Sequence, residues 1–428
     1  MNDAFYEALH EIKGQDLFLC CDPGIVDFRG KQALNLFIYS KDTRLKIPLG
    51  SDLKSIKELL GSLKFLDDDN LILIAWDLKS LLTFVRGKVG NDFLIGKKIF
   101  DLNMLESYCG EKNPCPTNFL EAKKRLVSLT KHINWEKAYQ AYQSVYLPLI
   151  LNIPKIETYG LAHKQKKIKV YPHYEIDGQI NGRMKCSNIS SNSYNPHTMA
   201  EIERNNLRCP GFDYNFLYFD FKHMEVNMLQ WLSKDEEMKK ILLSGKDFYE
   251  SVWELLTAAP CNKERRGLCK LFFLPVFYGL GAESLSKKLN WPVESCRGLI
   301  KKIQIYFHTA WSWIKSYQLG KDGSVYDHFG RRRIFDNVYK VRNFVVQSPA
   351  SLVCLHKLVL LISKLDIADV CMHIHDGYVI SCKNEFIPKA YKTAKEILES
   401  ENELYSGLKL NVDCRRGISL NELVSYNL

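Results

Sequence analysis

"CMHIHDGYVISC", residues 371–382, sets two apolar runs on either side of an Asp-Gly pair. Asp-Gly between alternating apolar residues is a strong hairpin signal, because that pair tolerates the backbone angles of a tight turn. The pattern predicts two antiparallel strands with Asp376 at their tip. Two readings of Asp376 stand: a turn residue, or a carboxylate lifted towards a metal ion with His375 beside it. A second acid, Asp220, ends the apolar run "FLYFD" (216–220) where a helical pattern begins. If these strands are neighbours in one sheet, the two carboxylates converge. Paired carboxylates offer hard oxygen ligands to Mg²⁺. Two such ions about 3.5–4 Å apart can clamp an attacking 3′-oxygen and a departing pyrophosphate.

The 428 residues around this stretch are 46% hydrophobic and 25% charged, ordinary for a globular chain of two or three domains. A net charge of +10 permits a polyanionic partner without requiring one. The 13 cysteines are scattered without paired metal spacing, which favours reduced thiols in a cytosolic compartment. The opening "MNDAFYEALHEIKGQD" has acids and no apolar core, unlike a secretory signal. No window approaches 18 uncharged apolar residues, so no membrane partner and a cytoplasmic location are expected.

Periodicity divides the chain. Strands are expected at 16–22, 33–40 and 70–76, with helices over 52–66 and 78–85. This β-β-α-β-α order predicts a mixed α/β domain that ends near residue 113, at the turn-rich "EKNPCPTN" (111–118). A mostly helical stretch follows to residue 160. "LAHKQKKIKVYP" (161–172) then carries a basic cluster into a strand, and 217–245 runs from strand to helix. Helical patterns fill 263–320 and 339–365, and one more follows the hairpin over 386–404.

Within 263–289, Arg266, Lys270, Leu274 and Tyr278 recur every four residues. Each step advances about 40° past a full turn, so the four form one drifting stripe. Cations followed by an apolar and an aromatic residue can receive a nucleoside triphosphate. The same stripe also fits a solvated basic end and a buried apolar end of one helix.

In this order the pieces resemble family A DNA polymerases, the DNA polymerase I type. "DFKHME" (220–225) resembles the first palm motif. "GKDFYESVWELL" (245–256) resembles the link to the fingers, and "RGLCKLFFLPVFYG" (266–279) the fingers helix. "NGRMKCSNISSNSYNP" (181–196) and "GRRRIFDN" with "NFVVQSPASL" (330–337, 343–352) resemble primer-template segments. "HIHD" (373–376) resembles the second palm motif. The ordered set covers roughly residues 167–385.

The resemblance implies an α+β, mixed α/β multidomain chain: a right-hand polymerase palm and fingers with an N-terminal 3′–5′ exonuclease-like, ribonuclease H-like domain. Domains are expected at 1–113 (degenerate exonuclease-like), 114–166 (helical connector with a reduced or missing thumb), 167–243 (palm), 244–330 (fingers) and 331–428 (palm). Asp220, Asp376 and the backbone carbonyl of Phe221 would hold two Mg²⁺ ions, with Mn²⁺ a substitute. Glu225 would reject a ribose 2′-hydroxyl. Arg266 and Lys270 would bind the triphosphate, Lys270 also protonating the leaving pyrophosphate. Leu274 would face the incoming nucleotide and Tyr278 the template base. Arg183, Asn343, Gln347 and His375 would touch primer-template.

Departures from the family pattern carry expectations too. Leu274 stands where Phe or Tyr is usual, and Pro275 predicts a kink. Asn227 replaces a usual Arg, and Gly377 a usual Glu. In the N-terminal part Asp22 remains, but its partner position is Gly24 and an acid expected near Leu81 is missing. A proofreading-dead domain is therefore expected. A thumb normally enters after residue 160, yet here the strand "KIKVYPHY" follows almost at once. Weak, salt-dependent grip is expected, unless a processivity or replisome partner supplies it.

The expected activity is template-directed addition of deoxynucleotides to a primer 3′ end, in a phage or other mobile element. The alternatives are a weak or inactive primer-template-binding accessory protein, and a single-subunit RNA polymerase of related fold.

Overall fold

The computed structural model of the chain describes residues 17–21, 35–39, 44–48, 72–79, 82, 98–188 and 191–427. It divides into two compact units. The first comprises Met1–Asp220, Cys354–Ile397 and Asp413–Leu428; the second comprises Phe221–Val353 and Leu398–Val412.

The first unit begins with a five-stranded sheet. β1 (Leu17–Cys21) pairs antiparallel with β2 (Asn35–Tyr39), and β2 with β3 (Arg44–Pro48). On the other side β1 runs parallel to β4 (Ile72–Trp76), and β4 to β5 (Lys98–Asp101). The "ILIAW" of β4 is an unbroken apolar run whose Leu73, Ile74 and Ala75 are buried, as a parallel strand covered on both faces requires. The sequence reading passed over β3, a short alternation of cations and apolar residues. Its helix over 52–66 lies outside the described residues, as does most of 78–85.

Asp101 closes β5 and caps the helix Leu102–Tyr108. Its buried carboxylate accepts from the N–H groups of Met104 (3.1 Å) and Leu78 (2.8 Å). The connector is helical as expected: Phe119–Leu129, Trp135–Ala141, a π-helical turn at Tyr142–Tyr146, then Leu147–Tyr159. Gly160 ends it at φ +69°, and a Cβ there would stand 2.5 Å from the Tyr171 ring, so only glycine fits.

Two small sheets follow. β6 (Leu161–His163) and β7 (Ile168–Pro172) form a hairpin flanked by β10 (Ser193–Tyr194) and β11 (Leu207–Arg208), in the order β10-β7-β6-β11. β8 (Tyr174–Glu175) pairs with β9 (Lys185–Cys186). The unit's second five-stranded sheet joins β12 (Tyr214–Phe221), β15 (Asp369–Ile374), β16 (Gly377–Lys383), β17 (Val412–Gly417) and β18 (Val424–Ser425). Its order is β15-β16-β12-β17-β18. Leu161 and Val170 of the hairpin share one buried cluster with Phe216, Cys371, Met372 and Val379 of this sheet.

The second unit is mainly helical. Helices Met224–Ser233, Phe248–Thr257, Lys263–Tyr278, Val293–Tyr306 and His308–Ser316 lead to a hairpin of β13 (Ser324–Tyr326) and β14 (Arg332–Ile334). Its core is aromatic: Phe273 lies 5.1 Å from Phe248 and 5.3 Å from Phe277 and Phe307, centroid to centroid. The helix Lys263–Tyr278 continues through Pro275.

The helix Val338–Lys364 is long and apolar enough, by length and composition, to cross a membrane, with an 18-residue window of mean hydropathy 1.7. Of that window 83% is buried, so its apolar residues have protein neighbours.

Candidate active site

Asp220 sits near the end of β12, half-buried on a strand whose Phe216, Leu217 and Phe219 anchor it in the core. In the antiparallel β12–β16 pair its partner is Gly377, the residue after Asp376. The expected neighbour relation is therefore met: both carboxylates lie at one end of adjacent strands, and neither is fully buried. The turn differs by one residue from the Asp-Gly expectation. Ile374 pairs with Gly377, so His375 and Asp376 form the loop, with His375 at φ +58°. Histidine visits that region more readily than most residues.

Gly377 is thus a strand residue, and its role is space. A Cβ there would stand 2.5 Å from the Tyr218 hydroxyl oxygen. Tyr218 lies two residues before Asp220 and so on the same sheet face. The Arg415 guanidinium covers its ring at 4.8 Å. Burial raises the Tyr218 phenol pKa, and the charges of Asp220 and Asp376 raise it further, so the hydroxyl stays neutral. No sequence pattern marks Tyr218 or Arg415, whose contact spans strands far apart in the chain.

The exposed ring of His375 stacks on His197 at 4.8 Å. Burial and the charge of Arg183 lower the His375 pKa. His197 is held at about 4, by burial and then by His375. Arg183, His375 and Asp376 thus belong to one neighbourhood, with His197 an addition that the sequence did not signal.

In the second unit, Glu225 opens the helix Met224–Ser233 and is held from two sides. The Tyr278 hydroxyl donates to its Oε2 (2.7 Å) and Gln347 Nε2 to its Oε1 (3.0 Å). Gln347, expected at primer-template, here braces Glu225; Asn343 lies one turn earlier on the same helix. The stripe of Arg266, Lys270, Leu274 and Tyr278 is at least partly exposed, opposite buried Cys269, Phe272, Phe273, Val276 and Phe277. Arg266 bonds Asp247 Oδ2 at 2.6 Å, and Arg266 and Lys270 both lie over the Tyr249 ring, at 6.0 and 5.4 Å. Asp247 also caps the helix Phe248–Thr257 through the N–H groups of Tyr249 and Glu250. Burial pushes its carboxyl up, but the bond from Arg266, the Glu250 N–H and the charges of Arg266 and His223 together outweigh this and hold it below its usual value. Asp247 and Tyr249 were legible only as part of "GKDFYESVWELL".

Among the described residues no three His, Cys, Asp or Glu side chains gather into a metal cage. Two carboxylates at adjacent strand ends suit Mg²⁺, which takes one or two carboxylates and completes its shell with water and substrate phosphates. Asp22, Gly24 and Leu81 lie outside the described residues.

The family model described as DNA polymerase family A matches residues 118–422. DNA polymerase I of Helicobacter pylori is 26% identical over 206 residues, 44% of this chain and 22% of that protein. Thermostable DNA polymerase I of Thermus aquaticus is 26% identical over 212 residues, 45% of this chain and 26% of that protein. DNA polymerase theta of Drosophila melanogaster is 23% identical over 236 residues, 47% and 11% of the two chains. The chain spans about a quarter or less of the length of these curated relatives. Among solved structures, the POL domain of Pol1 from M. smegmatis, in complex with DNA primer-template and dNTP, matches with a TM-score of 0.76. That match has 14% identity and covers 98% of this chain and 99% of the other.

Proposed function

Because the chain belongs to DNA polymerase family A, we propose that it adds deoxynucleotides to a primer 3′ end under the direction of a DNA template. The observation that carries this is the cross-strand pairing of Asp220 with the neighbour of Asp376. Asp220, Asp376 and the Phe221 carbonyl are the proposed holders of two divalent ions. When bound, Mg²⁺ or Mn²⁺ favours the alkoxide of the primer hydroxyl and neutralises charge on the departing pyrophosphate.

The other roles belong to the chain's own side chains. Arg266 and Lys270 bind phosphates, and nucleotide arrival exchanges the Asp247 carboxylate on Arg266 for a phosphate. Lys270 Nζ carries the proton given to pyrophosphate. Glu225, fixed by Tyr278 and Gln347, meets the 2′ position of the sugar, and a rigid carboxylate excludes a hydroxyl better than a mobile one. Leu274 gives the nucleotide apolar contact without stacking. Arg183, Asn343 and His375 contact primer-template. Proofreading is absent in this reading, because Gly24 offers no second carboxylate beside Asp22.

Primer extension by wild type and Asp376→Asn tests the proposal. The variant is expected to lose on the order of 10³-fold or more, the scale of a single lost transition-state stabiliser. Deoxynucleotides should be strongly preferred over ribonucleotides. A second reading, a primer-template-binding protein that does not polymerise, is favoured by Tyr218 filling the place of a residue-377 side chain. No Asp376-dependent incorporation with Mg²⁺ or Mn²⁺ would establish it instead.

A further inference from the structure

The turn between β6 and β7 consists of Lys164, Gln165, Lys166 and Lys167, and β7 continues with Ile168 and Lys169. All six residues are exposed. No Asp or Glu occurs from Thr158 to Tyr174. Some exposed lysines elsewhere are ion-paired, such as Lys239 with Glu236 and Lys240 with Glu237. Among the described residues, none of the four hairpin lysines makes an ion pair. Four like charges on one short turn repel one another, and a phosphate backbone would relieve that repulsion.

The turn is also built rigidly. The Lys167 N–H donates to the His163 carbonyl (2.9 Å), and the Lys166 N–H to His163 Nδ1 (3.1 Å). Lys167 adopts φ +53°. His163 is buried, and its other ring nitrogen meets Glu203 Oε2 at 3.2 Å. Below the turn, Leu161 and Val170 share a core with Phe216 of the strand that carries Asp220, and with Cys371, Met372 and Val379 of the Asp376 hairpin. The backbone of the turn is therefore fixed relative to the strands that carry the two carboxylates, within the same unit.

We propose that this lysine turn binds the phosphate backbone of the primer-template duplex and supplies grip close to the catalytic sheet. The inference rests on the polymerase reading above. Lysine is a point charge on a flexible stem, suited to backbone contact without reading sequence. Residues 164–169 include no aromatic side chain on which an unpaired base could stack, so duplex fits better than single strand. The turn also spans the place where the family resemblance leads one to expect a thumb.

The test measures duplex binding by fluorescence anisotropy across a salt series, using a labelled primer-template. Wild type is compared with the quadruple variant Lys164→Gln, Lys166→Gln, Lys167→Gln, Lys169→Gln and the double Lys166→Gln, Lys167→Gln. The control is Lys239→Gln, Lys240→Gln. Each lost phosphate contact lowers the slope of log affinity against log salt by about 0.9, so the quadruple is expected to lose about 3.6 and the double about 1.8. The quadruple variant should also need at least roughly tenfold more primer-template at physiological salt, as the loss of several phosphate contacts implies. The control should match wild type. A wild-type slope kept by the quadruple variant overturns the proposal, as does lysine-dependent binding to phosphatidylserine vesicles with duplex binding unchanged. Binding is scored on Asp376→Asn as well. Failure of extension with lysine-dependent binding intact counts against the polymerase reading, whereas intact extension with an unchanged slope counts against the lysine turn alone.

Discussion

A glycine beside an acidic turn residue can serve angle or space, and Gly377 serves space. It has no positive φ, yet its missing side chain is where the Tyr218 hydroxyl rests. Tyr218 has little room to yield, with Arg415 on its ring and Asp220 two residues on. Gly377→Glu, which installs the residue usual in the family, should therefore harm this chain. Overpacking of this kind costs about 1–3 kcal/mol, so the urea midpoint should fall and extension with it. Tyr218→Ser vacates the space, and the pair Tyr218→Ser, Gly377→Glu should recover stability that Gly377→Glu loses. A Gly377→Glu chain as stable as wild type would show that Tyr218 is no obstacle. The Asp-Gly pair announced the hairpin, but it placed the turn one residue late. Turn propensity is a property of neighbours in sequence, whereas the register is a property of the pairing of β15 with β16 and of β16 with β12.

The helix Lys263–Tyr278 shows what an element discloses from its own residues. A four-residue recurrence marks the face carrying Arg266, Lys270, Leu274 and Tyr278, and Asn262 caps the start by accepting from the Arg265 N–H. That much was legible. The residues that engage the face were not, because Asp247, Tyr249, Glu225 and Gln347 come from other elements and no periodicity links them. Pro275 lies in the last turn of the helix, which runs on to its C-cap Gly279. Gly279 adopts φ +110°, and a Cβ there would fall 2.2 Å from a Tyr339 ring carbon. Gly279→Ala thus combines backbone strain of about 1–3 kcal/mol with a clash. Denaturation should show a loss of about 2 kcal/mol or more. Adding Tyr339→Ala should return only the part owed to the clash. Full recovery in the double variant would mean that the backbone bears no strain.

At the scale of the whole molecule, the composition foretold a globular chain with ample core, the periodicity a mixed α/β domain, and the ordered motifs its family. Neither signalled the buried ionisable groups, since burial depends on packing. These groups set opposing slopes of stability with pH. Burial lowers His373 to about 3 and His197 and His356 to about 4, so the folded chain keeps them neutral where an unfolded chain protonates them. Their contribution is lost progressively as pH falls below the usual histidine value of about 6.5. Burial works oppositely on acids. It raises Asp101 to about 7, with Asp77 adding to the shift, and Asp327 to about 6. Each stays protonated in the fold where the unfolded chain has lost its proton. Their stabilisation is full below about pH 4 and drains away as pH climbs towards 6 and 7. Stability should therefore rise from pH 4 to near 6.5, then flatten or decline to pH 8 as the last of the Asp101 proton leaves. Each group contributes at most about 1.4 kcal/mol per pH unit in its window. Asp101→Asn isolates the acid's share. Its amide oxygen can still accept from Met104 or Leu78, and it carries no titrating proton. Relative to wild type, this variant should gain stability between pH 5 and about pH 7 and level off above it, read from urea midpoints at each pH. A difference that stays constant across that range would mean that Asp101 is already ionised in the fold at pH 5, and that its bonds to the Met104 and Leu78 N–H groups overcome its burial.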